Sequence, residues 1–295
     1  MDSKSQEPGA RSQSLRDLAT EQPNPRSAQL DRLSVHALLR VINREDATVA
    51  AAVKRALPAI ARAVERIVPR LKNGGRLFYI GAGTSGRLGC LDASEMPPTY
   101  GVAPMLVQGI IAGGPKALTR SQEGAEDDGA AGVSDIRKRK ISKADAVIGL
   151  SVSGRARYVR EALTEARRRG AFTACITCNR NSLLIPCADI AIVVETGPEV
   201  VTGSTRMKAG TAQKMILNMI STAAMVKLGR VTGNRMTDLQ IKCDKLRARA
   251  VILIMERTGV GERAARRALK AARGSVRAAI LRAGSAGVPR PPLRR

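Results

Sequence analysis

The hydrophobic pattern of the chain changes character near residue 76. Before it, apolar residues recur at helical spacing over residues 31–43 and 46–72, which predicts two amphipathic helices. After it, short continuous apolar runs alternate with helix-compatible segments. These runs predict strands over residues 76–80, 104–112, 146–150, 171–177 and 188–194. We therefore expect an α/β fold with a parallel sheet of about five strands, covered by helices on both faces.

The segments that flank the sheet have patterns of their own. Residues 1–28 are polar and rich in Ser, Pro and Arg, and we expect an extended arm. The sheet domain with its leading helices spans residues 29–232, and its last helix is Met-rich, which indicates a core or a subunit interface. Residues 233–284 predict a small bundle of short helices, and residues 285–295 form a basic tail.

The composition is that of a globular protein with an unusual charge. The 295 residues are 44% hydrophobic, which suffices for a substantial core. A formal net charge of +25 would suit a polyanionic partner. Aromatic residues make up only 2% of the chain, however, which leaves little for stacking on bases. We therefore predict no nucleic-acid partner and expect the charge to favour small anionic ligands.

Cysteine and histidine usage limits the possible chemistry. Five cysteines, an odd number in a long chain, indicate a reducing compartment. Cys175 and Cys178 form a CxxC pair, but no second pair completes a zinc site. His36 is the only histidine, which argues against a His-containing catalytic triad within one chain. Without an apolar leader or a membrane-length run, we predict a cytoplasmic protein with no membrane association.

Two turns rich in glycine and hydroxyl groups follow the first and the third predicted strands. They are Gly81-Ala-Gly-Thr-Ser-Gly86 and Ser151-Val-Ser-Gly-Arg155. Because ligands of parallel sheets bind outside the carboxyl ends of the strands, we expect both turns to line one site. Backbone N–H groups, hydroxyls and an arginine suit a phosphate and the hydroxyls of a sugar.

The first turn also matches the GxGxxG pattern of dinucleotide sites. Such a site needs an acidic residue at the end of the second strand, but that strand ends Ile110-Ile-Ala-Gly-Gly114. The GK[ST] ending of a nucleotide-binding P-loop is absent as well. We therefore favour a phosphosugar over a dinucleotide.

Carboxylates near the turns are candidates for acid and base chemistry. Glu95 follows the first turn by one helix. A predicted helix over residues 115–123 leads into an acidic loop. From the residues alone, any of four carboxylates in this loop competes for the role of base: Glu123, Glu126, Asp127 and Asp128.

Four motifs resemble those of the N-acetylmuramic acid 6-phosphate etherases, which belong to the sugar isomerase (SIS) domain superfamily. They are Gly81-Ala-Gly-Thr-Ser-Gly-Arg-Leu-Gly89, Asp92-Ala-Ser-Glu-Met-Pro-Pro-Thr-Tyr-Gly101, Glu123-Gly-Ala-Glu-Asp127 and Val201-Thr-Gly-Ser-Thr-Arg-Met-Lys-Ala-Gly-Thr-Ala-Gln-Lys214. The resemblance runs from about Thr20 to Leu281. It implies an SIS-type, flavodoxin-like sheet, a C-terminal module similar to ubiquitin-associated domains, and a homodimer whose partner completes each site.

The resemblance also implies the activity and the residues that perform it. The family cleaves the D-lactyl ether of N-acetylmuramic acid 6-phosphate to N-acetylglucosamine 6-phosphate and D-lactate, as lyases of amino-sugar recycling, without a metal or redox cofactor. Its catalytic glutamates match Glu95, as the acid towards lactate, and Glu126, as the base at C2. The expected substrate-binding residues are Gly83, Thr84, Ser85, Ser151, Ser153, Gly154 and Arg155.

The chain departs from the family pattern at two places. Ala156-Arg157 stand where the family usually has Thr-Pro, which removes a hydroxyl expected at the phosphate. We expect Arg157 to compensate in part. Pro23 stands where the family often has Arg, which bears on the seating of the N-terminal arm.

Two other functions remain as alternatives. A phosphosugar isomerase would share the fold and the base at C2, but the motif around Glu95 and the Thr-Arg-Met-Lys segment argue against it. A non-catalytic phosphosugar-binding regulator, similar to the animal glucokinase regulatory protein, would carry two SIS domains in a chain about twice this length.

Overall fold

A five-stranded parallel sheet forms the centre of the structure, a computed structural model that describes residues 18–236 and 244–284. Its strands are β1 (Leu77–Gly81), β2 (Val107–Ile111), β3 (Ala146–Leu150), β4 (Phe172–Thr177) and β5 (Ile190–Val193). They lie in the order β2-β1-β3-β4-β5, with every pair parallel. The chain turns to opposite sides of β1 for β2 and β3, so a crevice opens at the carboxyl ends of β1 and β3. The predicted sheet is confirmed.

Helices cover both faces of this sheet. They are α2 (Val49–Lys72), α3 (Gly83–Tyr100), α4 (Gly129–Lys138), α5 (Arg157–Arg168) and α6 (Lys208–Lys227), and α1 (Val35–Asp46) precedes them in the N-terminal segment. Helices α2, α3 and α6 share one apolar core with the sheet, and α4 and α5 form a second core on the opposite face. Because both faces are covered, β1, β3 and β4 are buried along their whole length, which explains their continuous apolar sequence.

The C-terminal part of the chain has a small core of its own. Three helices, α7 (Asp244–Thr258), α8 (Glu262–Ala271) and α9 (Val276–Gly284), pack around buried residues such as Ile254 and Leu269. Before them, β6 (Val231–Thr232) pairs with β7 (Arg235–Met236) in an antiparallel hairpin. The predicted boundary between residues 232 and 233 therefore falls within this hairpin. The predicted basic tail and residues 1–17 of the predicted arm lie outside the described residues.

Two predicted segments differ in the structure. Residues 18–28, expected to be extended, contain the 3₁₀ turns Ala19–Glu21 and Pro25–Ser27. The helix expected over residues 115–123 is a single 3₁₀ turn, Pro115–Leu118, because the polar residues that follow offer no apolar stripe to bury. Helix α3 continues through Pro97 and Pro98 to Tyr100, which is buried in the core.

A buried ion pair ties the N-terminal segment to helix α6. Lys208 Nζ lies 2.6 Å from Glu45 Oε2, and the two side chains are 3% and 4% exposed. Arg26 and Asn24 also donate hydrogen bonds to this carboxylate, at 3.0 and 2.9 Å. Burial alone would raise the pKa of Glu45, but the three hydrogen bonds outweigh it and lower the pKa to about 2.

Acid should therefore unfold the protein in a way that depends on Glu45. A carboxyl with a lowered folded pKa contributes stability above its unfolded value of 4.5 and loses it as the pH falls towards about 2. We expect Glu45→Gln to lower the free energy of unfolding at pH 7 by about 3 kcal/mol, because Lys208 loses its counter-charge. It should also flatten the acid limb of stability against pH, measured by urea denaturation. An equal effect of Glu256→Gln, which breaks an exposed pair with Arg235, would contradict this.

Candidate active site

A cavity of about 560 Å³ opens at the carboxyl ends of β1 and β3, in the crevice between them. Both predicted turns line it. All but one of the predicted substrate-binding residues lie on its wall, namely Gly83, Thr84, Ser85, Ser151, Ser153 and Arg155. Of the two predicted catalytic glutamates, Glu126 lines this cavity and Glu95 does not. We call it the main cavity.

The first turn depends on the close approach of α3 to the sheet. A Cβ at Gly86 would lie 2.6 Å from the Ile111 side chain and 2.7 Å from the Gly81 carbonyl oxygen. Only glycine therefore allows the helix to begin directly at the end of β1. Thr84 and Ser85 then fall in the first turn of α3, where the positive end of the helix dipole favours an anion.

The second turn is held by hydrogen bonds from its own backbone. The Ser151 hydroxyl accepts from the Gly154 N–H at 3.1 Å, and the Ser153 hydroxyl accepts from the Arg155 N–H at 3.2 Å. Accepting these bonds leaves each hydroxyl proton available for a ligand. Gly154 has a φ of 77°, and a Cβ there would overlap the Ser182 hydroxyl. Gly154 therefore shapes the turn from behind, without lining the main cavity.

The acidic loop divides its four carboxylates by position. Asp128 caps helix α4, where it accepts a hydrogen bond from the Ala131 N–H at 2.9 Å. Glu123 accepts from the Ser121 hydroxyl at 2.9 Å and lies off the cavity wall. Glu126 and Asp127 line the main cavity from the 3₁₀ turn Ala125–Asp127. Of the four carboxylates, Glu126 and Asp127 are therefore the two that line the main cavity.

Glu95 lies apart from the main cavity. It is exposed on α3, ten residues after Ser85, which is about 15 Å along the helix axis. It lines a smaller cavity of about 210 Å³ between α3 and α6, together with Asp92, Lys214 and Asn218. Within one chain, the two predicted catalytic glutamates thus occupy separate cavities.

A buried polar network that we did not predict joins α3 to α6 beside the smaller cavity. The Asp92 carboxylate accepts hydrogen bonds from Asn218 at 2.7 Å and from Ser221 at 3.1 Å. Burial raises the pKa of Asp92, and these bonds offset the rise only in part. Burial and the nearby Asp92 also raise the pKa of the Tyr79 hydroxyl. The available signal was helical spacing, since Asp92 and Glu95 are three residues apart on one helix.

Three arginines line the main cavity together with its acidic residues. Arg157 and Arg160 belong to α5, and Arg155 belongs to the Ser151 turn that precedes this helix. Arg160 lies 3.9 Å from Glu161. Arg157, the first residue of α5, is exposed and has no hydrogen-bond or ion-pair partner within residues 18–236 and 244–284. Its guanidinium is therefore available to an anionic ligand.

The other candidate groups of the sequence lie outside the site. Cys175 and Cys178 are buried thiols whose pKa values burial raises to about 12. His36 is exposed on α1. Among the described residues, no three His, Cys, Asp or Glu side chains cluster as a metal site would require. In the same part of the chain, no helix is long and apolar enough to cross a membrane.

The fold and the main cavity define an SIS-domain protein. The family model of the SIS domain matches residues 131–223, and that of the glucokinase regulatory protein N-terminal SIS domain matches residues 59–167. The N-acetylmuramic acid 6-phosphate etherase of Symbiobacterium thermophilum is 54% identical over 267 residues, covering 90% of this chain and 89% of that protein. The etherase of Jannaschia sp. is 53% identical over 263 residues, covering 89% and 83%. The chain therefore belongs to the N-acetylmuramic acid 6-phosphate etherase family.

Solved structures share the sheet domain. A phosphoheptose isomerase from Neisseria gonorrhoeae matches with a TM-score of 0.51 and 15% identity, covering 65% of this chain and 99% of that one. A protein from E. coli CFT073 matches with a TM-score of 0.50 and 15% identity, covering 68% and 97%. At this identity the likeness concerns the fold alone.

Proposed function

We propose that the chain cleaves the D-lactyl ether of N-acetylmuramic acid 6-phosphate, giving N-acetylglucosamine 6-phosphate and D-lactate in amino-sugar recycling. The observation that carries this proposal is the identity of 54% over 90% of the chain to a relative named for this activity. The main cavity supports it, because hydroxyls and arginines for a phosphate meet a carboxylate there. The described cysteines are free thiols, which suits action in the cytoplasm.

The reaction that we propose is an elimination followed by addition of water. Opening of the sugar ring places an aldehyde at C1 and makes the C2 proton acidic. A carboxylate removes that proton, and lactate leaves from C3 as its oxygen takes a proton from a carboxylic acid. Water then adds across the double bond, with hydroxyl at C3 and hydrogen at C2. The enzyme is on this mechanism a carbon–oxygen lyase.

We assign the base at C2 to Glu126 and the acid at the lactyl oxygen to Glu95. Two carboxyl groups with these roles need different environments, so that one is ionised and the other protonated. We assign the phosphosugar contacts to the hydroxyls of Thr84, Ser85, Ser151 and Ser153 and to the backbone at Gly83. Arg155 adds positive charge, and Gly154 maintains the turn.

We further propose that the active enzyme is a homodimer in which each site uses both copies. C2 and C3 are adjacent atoms of the sugar. The base must come within about 3 Å of C2, and the acid must come within about 3 Å of the ether oxygen on C3. Glu95 and Glu126 of one chain line separate cavities. On this requirement the two glutamates of one chain do not act on the same substrate molecule. A partner's copy of the acid would resolve the conflict.

The surface near Glu95 supports this pairing. An apolar groove of about 830 Å³ runs between α2 and α6, and it shares Lys214 and Asn218 with the smaller cavity. Helix α1 also leaves Val35 and Leu39 exposed, at 72% and 58%. Apolar surface of this kind is covered in stable assemblies. A second copy seated on the groove would cover the mouth of the Glu95 cavity as well.

The purified protein should release D-lactate from N-acetylmuramic acid 6-phosphate, and Glu126→Gln should lower the rate by about 10²–10⁴-fold. The variant should also lose exchange of the C2 proton with heavy water, because it lacks the base. Asp127→Asn, the neighbouring cavity carboxylate, is the matched control and should retain exchange. Loss of exchange in Asp127→Asn alone would move the base to Asp127. Binding of the phosphosugar without lactate release would favour a non-catalytic regulator.

Mixing two inactive variants tests the shared site. Glu95→Gln and Glu126→Gln should each be inactive alone, whereas a dimer of one with the other contains one site with both glutamates intact. Random pairing makes about half of the dimers mixed, so about a quarter of the wild-type activity should return on co-expression. Absence of recovery, with mixed dimers demonstrated by differential tags, would show that both glutamates act from one chain.

Arg157→Ala should raise the KM for N-acetylmuramic acid 6-phosphate by about tenfold and leave kcat unchanged, because it removes a charged contact to bound substrate. Arg157→Lys should recover part of the affinity. Arg167→Ala is the control, since Arg167 lies at the far end of α5 and pairs with Asp189. A KM unchanged by Arg157→Ala would reject the proposed compensation.

A further inference from the structure

The Ser85 hydroxyl on the wall of the main cavity is bonded to a buried amide on another helix. Ser85 Oγ donates to Gln213 Oε1 at 2.8 Å. Gln213 belongs to α6, is fully buried and does not line the cavity. A hydroxyl has one proton, so in this arrangement Ser85 has none left for a ligand.

The packing of α6 on α3 explains how the amide reaches this hydroxyl. A Cβ at Gly210, one turn before Gln213, would lie 3.7 Å from Thr84 Cγ2. The first turns of the two helices are therefore in contact, and Gln213 lies directly behind the turn that forms the cavity wall. Gln213 belongs to the motif from Val201 to Lys214, and the proposed reaction assigns no role to this motif.

The other end of the same amide is unsatisfied. Gln213 Nε2 is buried and has no hydrogen-bond partner within the described residues. Buried donors without an acceptor are uncommon in folded proteins. The buried Gln108 illustrates the usual arrangement, because its Nε2 donates to the Met105 carbonyl at 2.9 Å and its Oε1 accepts from Arg139 at 2.8 Å.

A rotation of the Gln213 amide group by 180° exchanges the positions of its oxygen and its nitrogen. The Nε2 donor, which has no partner in the first orientation, then lies next to Ser85 Oγ. Nε2 then donates to Ser85 Oγ, and the hydroxyl proton of Ser85 is free to point into the cavity. The unsatisfied group becomes a carbonyl oxygen, which is left without a partner more often than an N–H group. An anion in the cavity favours this orientation, since a hydrogen bond from Ser85 to it is charge-assisted.

We propose that Gln213 is a positioning residue that makes the Ser85 hydroxyl a donor to the phosphosugar. The inference rests on the proposed function in that it takes a phosphosugar as the ligand of the main cavity. It does not depend on the cleavage step, so binding alone can test it.

The test is the Kd of the full chain for N-acetylglucosamine 6-phosphate, the proposed product, measured by calorimetry. Ser85→Ala and Gln213→Met should each weaken binding by about tenfold, and the double variant should be no weaker than Ser85→Ala. Gln108→Met is the matched control, a buried amide remote from the cavity, and should keep the wild-type Kd. Wild-type affinity in Gln213→Met, or losses that multiply in the double variant, would overturn the proposal.

Gln213→Glu tests the donor directly and serves if Gln213→Met does not fold. A carboxylate only accepts, so it keeps the Ser85 proton, and the Kd should again rise by about tenfold or more. The same change in the Ser85→Ala background measures the direct effect of the added charge. Wild-type affinity in Gln213→Glu, or an equal loss in both backgrounds, would overturn the donor role.

The outcome for this inference can be separated from that for the reaction. If the wild type binds the phosphosugar but releases no D-lactate from the proposed substrate, the etherase proposal fails and the role of Gln213 is still decided by the Kd values. If the wild type releases D-lactate while the Gln213 variants bind normally, only this inference fails. A wild type that does not bind N-acetylglucosamine 6-phosphate overturns the inference as well.

Discussion

The close approach of helix α3 to the end of β1 is the contact on which the rest of the site depends. Gly81 and Gly86 make this approach possible. A Cβ at Gly86 would collide with the Gly81 carbonyl and with Ile111, and a Cβ at Gly81 would collide with the backbone of Gly86. The approach brings Thr84 and Ser85 to the carboxyl edge of the sheet, opposite the Ser151 turn that follows β3. A parallel sheet whose chain turns to opposite sides of β1 supplies the crevice between them. The position of the main cavity is thus a consequence of backbone packing.

The first turns of helix α6 connect the cavity wall to the N-terminal segment. Glu199 accepts hydrogen bonds from the Lys208 and Ala209 N–H groups, both at 3.0 Å, and so caps the helix. The Lys208 side chain extends the other way, to the buried Glu45 of α1. Further along the same helix, Gln213 reaches Ser85. One short stretch of sequence therefore joins the N-terminal segment, α6 and the cavity wall, which accounts for polar residues in an otherwise apolar helix.

The acidic residues at the two cavities form two separate groups. Arginines of α5 and of the Ser151 turn line the main cavity together with hydroxyl groups and with the acidic residues Glu126 and Asp127. The second acidic centre, with Asp92 and Glu95, lies between α3 and α6 beside an apolar groove. The two predicted catalytic glutamates therefore have different surroundings: arginines line the cavity of Glu126, and an apolar groove adjoins that of Glu95.

The sequence by itself determined the sheet, its covering helices and the two turns at its edge, because apolar periodicity reports which faces are buried and strand ends of a parallel sheet must meet. It also identified the family, since long motifs such as Val201 to Lys214 are specific. It could not separate Glu126 and Asp127 from Asp128, because capping depends on where helix α4 begins in space. It could not reveal that Glu95 lines a different cavity, since that cavity forms only where α3 packs against α6. Nor could it find Gln213, whose bond to Ser85 joins residues 128 positions apart. Such contacts arise only when two helices pack, and the tertiary structure alone decides them.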